Sequence, residues 1–418
     1  MTLIVRECEM KRTRWAAICL MVTLAIASVF CLAAGGVREK DSAELRLPGA
    51  KPVIDASRYP TIQAAIDALP AEGGAVRLPP GTFEISEALK VSTSDVLIEG
   101  AGTATHIKNV NTEGKSAMLI RHAGIAENRD AELWRIRLAN FRITGNEKSG
   151  HGIEASRVNE IFIDGVTVSY NGGDGIRLNY CYEDPRICDS LITYNRKTGL
   201  NLVGCHDIVV ASNQFEENQD AVRCIDGFNL CMTGNNLDDH LGDGVVIENT
   251  YGSVISGNMI EECKGAAIVL DRDCYGITLS ANVIAHNESG GIYLRDAHGC
   301  TVSANTFTIM RKDALAIGAG SGRITVTGNN FSNSYIGDGK VKRVGNDLAA
   351  TGMVLNGTSD IAVVGNLFAS VRPRALAVEG KASESILFSD NVLTDAFSDH
   401  ERLNESLVRD NLESTNRD

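Results

Sequence analysis

The chain has 418 residues, of which 44% are hydrophobic and only 5% aromatic, and its formal net charge at pH 7 is −13. This acidity argues against nucleic acid as a partner, because binding to phosphates requires clustered Lys and Arg. It also disfavours a polyanionic polysaccharide unless cations or a local row of basic side chains intervene. The composition is otherwise that of a soluble globular protein.

Residues 1–36 have the pattern of a secretory signal. Lys11, Arg12 and Arg14 precede an apolar run from Trp15 to Ala34, and small residues follow;. We therefore expect a secreted or periplasmic protein with no integral membrane segment after cleavage. The alternative is a retained N-terminal anchor, since about twenty apolar residues can just span a bilayer.

Residues 37–149 are expected to form an N-terminal cap and irregular early turns of a repeat array. Within PTIQAAIDALP, the residues Ile62, Ala65, Ile66 and Leu69 fall on one face of a short helix;. The helix is predicted to cover the open end of the array, which would otherwise expose its core and unpaired strand edges.

From residue 150 to 397 one pattern recurs about every 23 residues: an apolar-x-apolar pair, an alternating apolar run, an Asn and a polar turn;. The Asn falls at Asn213, Asn235, Asn258, Asn282, Asn305 and Asn329 and, after an insertion that begins at Ser332, at Asn366 and Asn391. Three short strands per repeat leave no room for helices, so each strand must pair in parallel with its copy in the next coil. The Asn residues are therefore predicted to form a hydrogen-bonded ladder at a bend.

These repeats resemble the parallel β-helix repeats of the pectate lyase-like superfamily, which includes lyases, polygalacturonases, alginate epimerases and phage tailspikes. The segment from Tyr59 to Gly102 is similar to the N-terminal cap of many members, and the resemblance extends over residues 50–397. It implies an all-β fold, a single-stranded right-handed parallel β-helix of about 10–12 coils with an N-terminal capping helix. It also implies that substrate lies along the strand that carries the Gly-Ile-x-Leu pattern.

On that strand, the residues that point outward form two columns along the axis. From these columns we select the candidate substrate-binding residues Arg177, Asn201, Glu248, Asp271, Tyr293 and Arg295. The turn before the strand carries aspartates in equivalent places, namely Asp174, Asp220, Asp243 and Asp313. The simpler interpretation of these aspartates is that they only cap turns.

The densest ionisable cluster, Asp238-Asp239-His240, precedes Asp243. The candidate catalytic residues are therefore Asp220, Arg223, Asp238, Asp239, His240 and Asp243. Carboxylates in adjacent coils are expected about 5 Å apart. That spacing makes Asp220 and Asp243 a shared-proton pair, a retaining-glycosidase pair or a Ca²⁺ site. His151 and His298 are interpreted as surface turn residues.

The pattern predicts an exported polysaccharide lyase or glycoside hydrolase that acts on a uronate-containing polysaccharide and is expected to be a monomer. In a lyase, Arg223 or His240 would be the base and Asp220 with Asp243 would hold Ca²⁺, the one cofactor considered. In a hydrolase, Asp243 and either Asp238 or Asp239 would be acid and base. The NTD and RIK signatures of polygalacturonases and the DPHE pattern of alginate epimerases are absent, so no family catalytic residue is carried over.

The alternative is a non-catalytic glycan-binding or cell-surface protein. Its weakness is the low aromatic content, because Tyr293 is the one aromatic residue predicted on the binding strand. Convergence of Arg223, Asp243 and His240 in a groove would favour an enzyme.

Two further predictions concern cysteines and the C-terminus. Eleven Cys occur, three of them in residues 1–36, which leaves eight and permits disulfides;. Cys181 and Cys205 hold equivalent positions in adjacent coils and are predicted to be close enough for one. The segment 398–418 is charged and Asn-rich, which predicts a short helix or a frayed polar tail.

Overall fold

The computed structural model describes residues 47–332 and 351–414, and residues from Lys51 onward form one compact unit. The predicted signal at 1–36 and the insertion after Ser332 lie outside the described residues. Among the described residues, no helix is long and apolar enough to cross a bilayer.

The described strands build three parallel sheets. A complete coil contributes to them in the order sheet 1, sheet 2, sheet 3, and the first and last described coils have no strand in sheet 1. Sheet 1 contains Leu89–Val91, Met118–Ile120, Ile153–Ser156, Ile176–Asn179, Leu200–Val203, Val222–Ile225, Val245–Glu248, Ala266–Asp271, Gly290–Leu294, Leu315–Ile317, Met353–Leu355 and Leu376–Val378. Sheet 2 contains Val53–Asp55, Gly74–Arg77, Val96–Glu99, Leu133–Ala139, Val158–Asp164, Arg186–Cys188, Val209–Ala211, Cys231–Thr233, Val254–Ser256, Cys274–Tyr275, Thr278–Ser280, Ala297–His298, Thr301–Ser303, Gly322–Thr327, Ser359–Val364, Ser383–Ser389, Leu403–Asn404 and Leu407–Arg409. Sheet 3 contains Gly81–Ile85, Thr105–Asn109, Arg142–Thr144, Thr167–Ser169, Leu191–Thr193, Gln214–Glu216, Asn236–Asp238, Met259–Glu261, Val283–Ala285, Thr306–Thr308, Asn330–Ser332, Leu367–Ala369, Val392–Thr394 and Leu412–Ser414.

In the described part of the chain, the α-helix Ile62–Asp67 precedes the regular coils, and the short 3₁₀ helices are Ala56–Arg58, Gly102–Ala104 and Ala123–Ala126. The Thr61 hydroxyl accepts the Ala64 N–H at 3.0 Å, which caps the α-helix;. Its Gln63 side chain bonds to both the N–H and the C=O of Lys90 on the first strand of sheet 1. These contacts satisfy backbone groups at the open edge of that sheet.

The parallel β-helix is confirmed, and it is longer than predicted. Sheet 3 has 14 strands, one per coil, so the described residues make about fourteen coils rather than 10–12. The early coils were uncounted because they lack the regular sequence pattern. The segment after residue 398 is no helix or frayed tail, because residues 403–414 contain three strands that pair with the preceding coil.

The predicted Asn ladder is present and is buried along its length. Each Nδ2 donates to the Oδ1 of the next Asn at 2.9–3.0 Å, from Asn213 through Asn391 to Asn411. Each Oδ1 also accepts the backbone N–H of the preceding Asn, as Asn282 Oδ1 does from Asn258. The ladder therefore satisfies backbone N–H and C=O groups at this bend in successive coils;.

Among the described residues, all eight cysteines are free, so the predicted Cys181–Cys205 disulfide is not formed. Both side chains are fully buried. Cys205 Sγ lies 3.5 Å from the Leu178 carbonyl and 3.6 Å from the Val203 carbonyl, toward which its thiol points. These cysteines therefore act as small core residues.

A stack of phenylalanines inside the solenoid yields a stability prediction. The Phe331 ring lies parallel to those of Phe307 and Phe368, with centroids 4.7 and 4.6 Å away. We expect Phe331→Ala to lower the free energy of unfolding by about 3–5 kcal/mol, because it removes a buried ring and leaves a cavity. Chemical denaturation measures this change, and Phe397→Ala, at a 63% exposed position, is the control. Equal effects of the two substitutions would contradict the prediction.

Candidate functional site

The outer face of sheet 1 carries the predicted columns in the predicted register. Glu154, Arg177, Asn201 and Arg223 stand side by side in successive coils. The column then continues as Val246, Val269 and Tyr293. The first part of the face is polar, whereas Val246 and Val269 form an almost fully buried apolar floor with Ala266 beneath Tyr293.

Three aspartates at the turn into sheet 1 have a shared structural role. In each, Oδ1 accepts a backbone N–H from the next coil: Asp174 from Thr198 at 3.1 Å, Asp220 from Asp243 at 2.9 Å and Asp243 from Ala266 at 2.7 Å. Gly242 and Gly265 permit this approach, because a Cβ at either would collide with the carboxylate. The turn-capping interpretation is therefore correct for one oxygen of each aspartate.

The second oxygen distinguishes Asp243 from the other two. Asp174 Oδ2 accepts from Asn201 Nδ2 at 3.1 Å, and Asp220 Oδ2 pairs with Arg223 at 3.2 Å. For Asp243 Oδ2, the described part of the chain provides no hydrogen bond or ion pair. Burial raises the pKa of the Asp243 carboxyl above its usual value, and the nearby Asp220 carboxylate adds to the rise. Asp243 therefore holds a proton more tightly than an ordinary aspartate and has an oxygen free to donate it.

Arg223 is fixed by carboxylates on both sides. Its guanidinium lies 3.2 Å from Asp220 and 2.9 Å from Glu248, and Arg272 bonds the second oxygen of Glu248 at 2.7 Å. The guanidinium donates hydrogen bonds to both carboxylates and has no acceptor atom, so the geometry does not support the predicted role of Arg223 as a base;. Its side chain is 30% exposed, which leaves it able to bind an anion.

Farther along the face, Arg295 lies 3.6 Å from Asp271, and the Tyr293 hydroxyl donates to the Ser289 carbonyl. Burial, followed by the charge of Asp313, raises the pKa of Tyr293 to about 12. The phenol is therefore neutral near pH 7. The positive charges of Arg223 and Arg295 both oppose the rise in the pKa of Asp243. The two guanidinium groups are therefore close enough to this carboxyl to interact with it electrostatically.

His240 is not part of this face. It is fully buried, and its Nδ1 accepts the Asn218 N–H at 3.2 Å, in line with a second ladder in which Asn171 bonds Asn195 and Asn195 bonds Asn218. Burial lowers the pKa of His240 to about 4. The predicted catalytic role is therefore wrong, because the ring occupies a core position that no polysaccharide can reach.

Asp238 and Asp239 lie away from the Asp220–Asp243 pair. Asp238 belongs to sheet 3, between Glu216 and Glu261 of the neighbouring coils. Carboxylate oxygens of Asp238, Asp239 and Glu262 lie within 4.8 Å of one another. Asp238, Asp239, Glu216, Glu217, Glu261 and Glu262 form an acidic ridge, and the charges that raise the pKa values of Asp238 and Asp239 are carboxylates of this ridge. The charged groups that act on Asp243 are instead Asp220, Arg295 and Arg223. The contacts thus separate the acid–base pair predicted for a hydrolase onto two surfaces.

The acidic ridge gives the stability a pH dependence. Burial and the charges of Asp239, Glu261, Glu262 and Glu216 raise the pKa of Asp238 to about 6. Because the folded state holds this proton more tightly than the unfolded state, the stability contribution is complete below about pH 4 and is lost as pH rises through about 6.

The melting temperature of the wild type minus that of Asp238→Asn should therefore decrease as the pH is raised from 4 to 7. Thermal melting across this range measures the difference, with Glu147→Gln, outside the ridge, as control. A pH-independent difference between wild type and Asp238→Asn would contradict the prediction.

The predicted Ca²⁺ site does not fit its residues. Ca²⁺ takes six to eight oxygen ligands. Both oxygens of Asp220 and one of Asp243 are already bonded within the protein, which leaves a single carboxylate oxygen from the pair.

From the sequence, His151 was interpreted as a surface turn residue, but it contacts Asp174 in the structure. Its Nδ1 accepts the Asp174 N–H at 2.9 Å and lies 3.3 Å from Asp174 Oδ2, on the turn into sheet 1 rather than on open surface. Burial alone would raise the pKa of Asp174, but that pKa lies below its usual value because Asn201 and the Thr198 N–H donate hydrogen bonds to the carboxylate. The position of His151 in the aspartate column, one coil before Asp174, was the available signal.

Comparisons with known proteins agree with this architecture. The A-module of mannuronan C-5 epimerase AlgE4 from Azotobacter vinelandii matches with a TM-score of 0.61 and 19% identity, covering 79% of this chain and 99% of that one. A DFA-IIIase mutant from Arthrobacter chlorophenolicus matches with 0.54 and 12%, covering 78% and 98%. Tailspike protein 3 of bacteriophage CBA120 matches with 0.54 and 12%, covering 78% and 59%. A search of curated protein sequences finds no match.

At these identities the solved structures share the fold, and the function must be argued from the site. The family model described as "Right handed beta helix region" matches residues 94–275, 186–331 and 267–400, which together are more than half of the chain. The predicted right-handed parallel β-helix is thereby confirmed. The chain belongs to the right-handed β-helix family.

Proposed function

We propose that this protein is a carbohydrate-active enzyme that cleaves a uronate-containing polysaccharide on the outer face of sheet 1, with Asp243 as the proton donor. The observation that carries the proposal is the Asp243 carboxyl, which has a raised pKa and an Oδ2 without a partner, beside two arginines. The mannuronan C-5 epimerase module of the same fold supports a uronate-containing polymer as the substrate.

An acidic protein and an acidic substrate repel each other, and arginines on the binding face can offset this repulsion locally. Arg177, Arg223 and Arg295 stand along one face and offer cationic partners to a uronate, although each also pairs with a carboxylate of that face. A uronate carboxylate over Arg223 or Arg295 would gain a charge-assisted hydrogen bond. The sugar ring attached to it would lie against the partly exposed ring of Tyr293, which packs over the buried Val246 and Val269.

Cleavage by either route requires a proton on the departing glycosidic oxygen, and Asp243 supplies it in this proposal. In a lyase, neutralisation of the uronate carboxylate by an arginine also makes the adjacent C5 proton easier to remove. That proton passes to solvent, the electron pair of the C5–H bond forms the C4=C5 double bond, and the bond between C4 and the glycosidic oxygen breaks. In a hydrolase, water attacks the anomeric carbon instead, the glycosidic bond breaks, and the attacking water gives its proton to solvent. Arg223 and His240 are unsuitable as bases, for the reasons given above.

One experiment tests the proposal and separates the two routes. Purified protein is incubated with polygalacturonate, with alginate and with a neutral glucan, and both reducing ends and ultraviolet absorbance are followed. Reducing ends with absorbance from unsaturated uronate mean a lyase, whereas reducing ends alone mean a hydrolase. Folded protein that produces neither from any of these polymers would overturn the proposal.

Arg223 should matter through substrate binding. We expect Arg223→Gln to lower kcat/KM by about 10–100-fold, mainly through KM, because a charge-assisted contact to the uronate carboxylate is lost. Arg223→Lys should lose less, since the charge remains. Steady-state kinetics measure both, with Arg196→Gln as control because Arg196 pairs with Glu147 away from the Asp243 cluster. A KM unchanged in Arg223→Gln would contradict this role.

A further inference from the structure

A row of aromatic side chains runs along the outside of the solenoid at the corner between sheets 1 and 2. The aromatic row consists of Tyr182, His206, Phe228, Tyr251 and Tyr275, one from each of five successive coils. Ring centroids are 4.7, 4.3 and 4.1 Å apart from Tyr182 to Tyr251. Parallel backbone bridges connect its members from His206 to Tyr275.

The aromatic row is a surface feature, unlike the internal stack around Phe331. Tyr251 is 45% exposed and Tyr275 is 50% exposed, whereas Tyr182, His206 and Phe228 are partly buried. Exposed aromatic rings that continue a stacked row, on a protein of low aromatic content, indicate an interaction site. The row is one side chain wide, so it fits a narrow linear ligand better than the broad patch that a protein partner requires.

The row borders the proposed active face. Phe228 comes three residues after Ile225 and Tyr251 three after Glu248, both at the ends of sheet 1 strands. The ion pairs of Glu248 with Arg223 and Arg272 connect the two surfaces.

Cations lie beside one end of the row and can pair with an acidic strand. Arg323 lies over the Tyr275 ring, 5.7 Å from its centroid, and Arg272 is 56% exposed, although it also pairs with Glu248 and Asp226. The carboxylates of Asp207 and Asp226 also border the row, and they accept hydrogen bonds from Asn229 and Asn249 at 2.8 Å.

We infer that the aromatic row binds an extended strand of acidic polysaccharide alongside sheet 1, with the exposed tyrosines against the apolar faces of its sugar rings. The inference rests on the proposed function for the class of ligand. The aromatic row thus binds long polysaccharide chains, whereas the outer face of sheet 1 cleaves them.

The test compares the full chain with Tyr251→Ala/Tyr275→Ala. Retardation in gels that contain polygalacturonate or alginate measures polymer binding, and turnover of short oligouronates measures cleavage. We expect about tenfold weaker polymer binding in the double variant and unchanged turnover of short substrates. Tyr251→Phe/Tyr275→Phe, which keeps the rings, should bind polymer nearly as the wild type does.

The matched control is Tyr170→Ala/Tyr194→Ala. These rings also stack outside the solenoid, with centroids 5.0 Å apart, but they follow strands of sheet 3. Unchanged polymer binding by the row variant, equal weakening in the control, or no retardation of the wild type would each overturn the inference. Retardation that depends on the row, in a protein that cleaves nothing, would support the row and defeat the proposed function instead.

Discussion

Asp243→Asn should abolish cleavage of the polysaccharide while leaving the fold and substrate binding intact. Asparagine keeps the shape of the side chain and can still accept the Ala266 N–H, which Asp243 Oδ1 does at 2.7 Å. It cannot supply the proton that the proposed mechanism needs. We expect kcat to fall by about 10²–10⁴-fold, the usual contribution of a general acid.

The comparison for this variant is Asp164→Asn, because Asp164 pairs with Arg137 on sheet 2, away from the proposed face. Initial rates at saturating substrate measure kcat, and circular dichroism checks the fold. Full activity in Asp243→Asn would remove the central residue of the mechanism. A loss in both variants would assign the effect to the fold instead of the chemistry.

Asn282→Ala should be strongly destabilising, because Asn282 is an interior member of the buried ladder. Asn282 is fully buried and bonds to the Ile255 carbonyl, to Asn305 Oδ1 and to the backbone and side chain of Asn258. Its loss leaves several buried polar groups unpaired, each of which costs about 1–3 kcal/mol. We expect at least about 4 kcal/mol of lost stability.

Asn411→Ala is the matched control, because Asn411 is the last member of the ladder and is only partly buried. Its loss should cost about 1 kcal/mol. Thermal and chemical denaturation of both variants measure the difference. Similar costs at the two positions would mean that the ladder does not act as a buried network.

The fold could be predicted because one sequence period equals one coil. Every ladder Asn and every column from Glu154 to Tyr293 fell in the predicted register, since parallel pairing places equivalent residues side by side;. The C-terminal coil was missed because residues 403–414 are too charged to show an apolar pattern, although Asn411 continues the ladder.

The candidate site was predicted only in part, because a polar residue in a solenoid can either bond to the buried backbone or face a ligand on the surface. The sequence pattern does not distinguish these two roles. His240 has the sequence appearance of a loop residue, yet it lies in line with Asn171, Asn195 and Asn218 at one-coil intervals and belongs to the core. Asp238 and Asp239 were grouped with Asp243 by sequence distance, although a corner of the coil separates them. Arg223 and Asp243 are close enough to interact electrostatically, whereas His240 does not converge with them.

The aromatic row was overlooked for a related reason. Its members follow the sheet 1 strands in the turn, and the sequence reading placed sugar-stacking residues on the strand itself, where Tyr293 lies. The one-coil spacing of His206, Phe228, Tyr251 and Tyr275 was the available signal.

The measurement that tests the central claim most directly is a crystal structure of Asp243→Asn with a bound oligouronate. We predict a sugar on the outer face of sheet 1, with a uronate carboxylate at Arg223 or Arg295 and the glycosidic oxygen within hydrogen-bond distance of residue 243. An oligouronate bound on another face, or bound on sheet 1 with its glycosidic oxygens remote from residue 243, would contradict the claim.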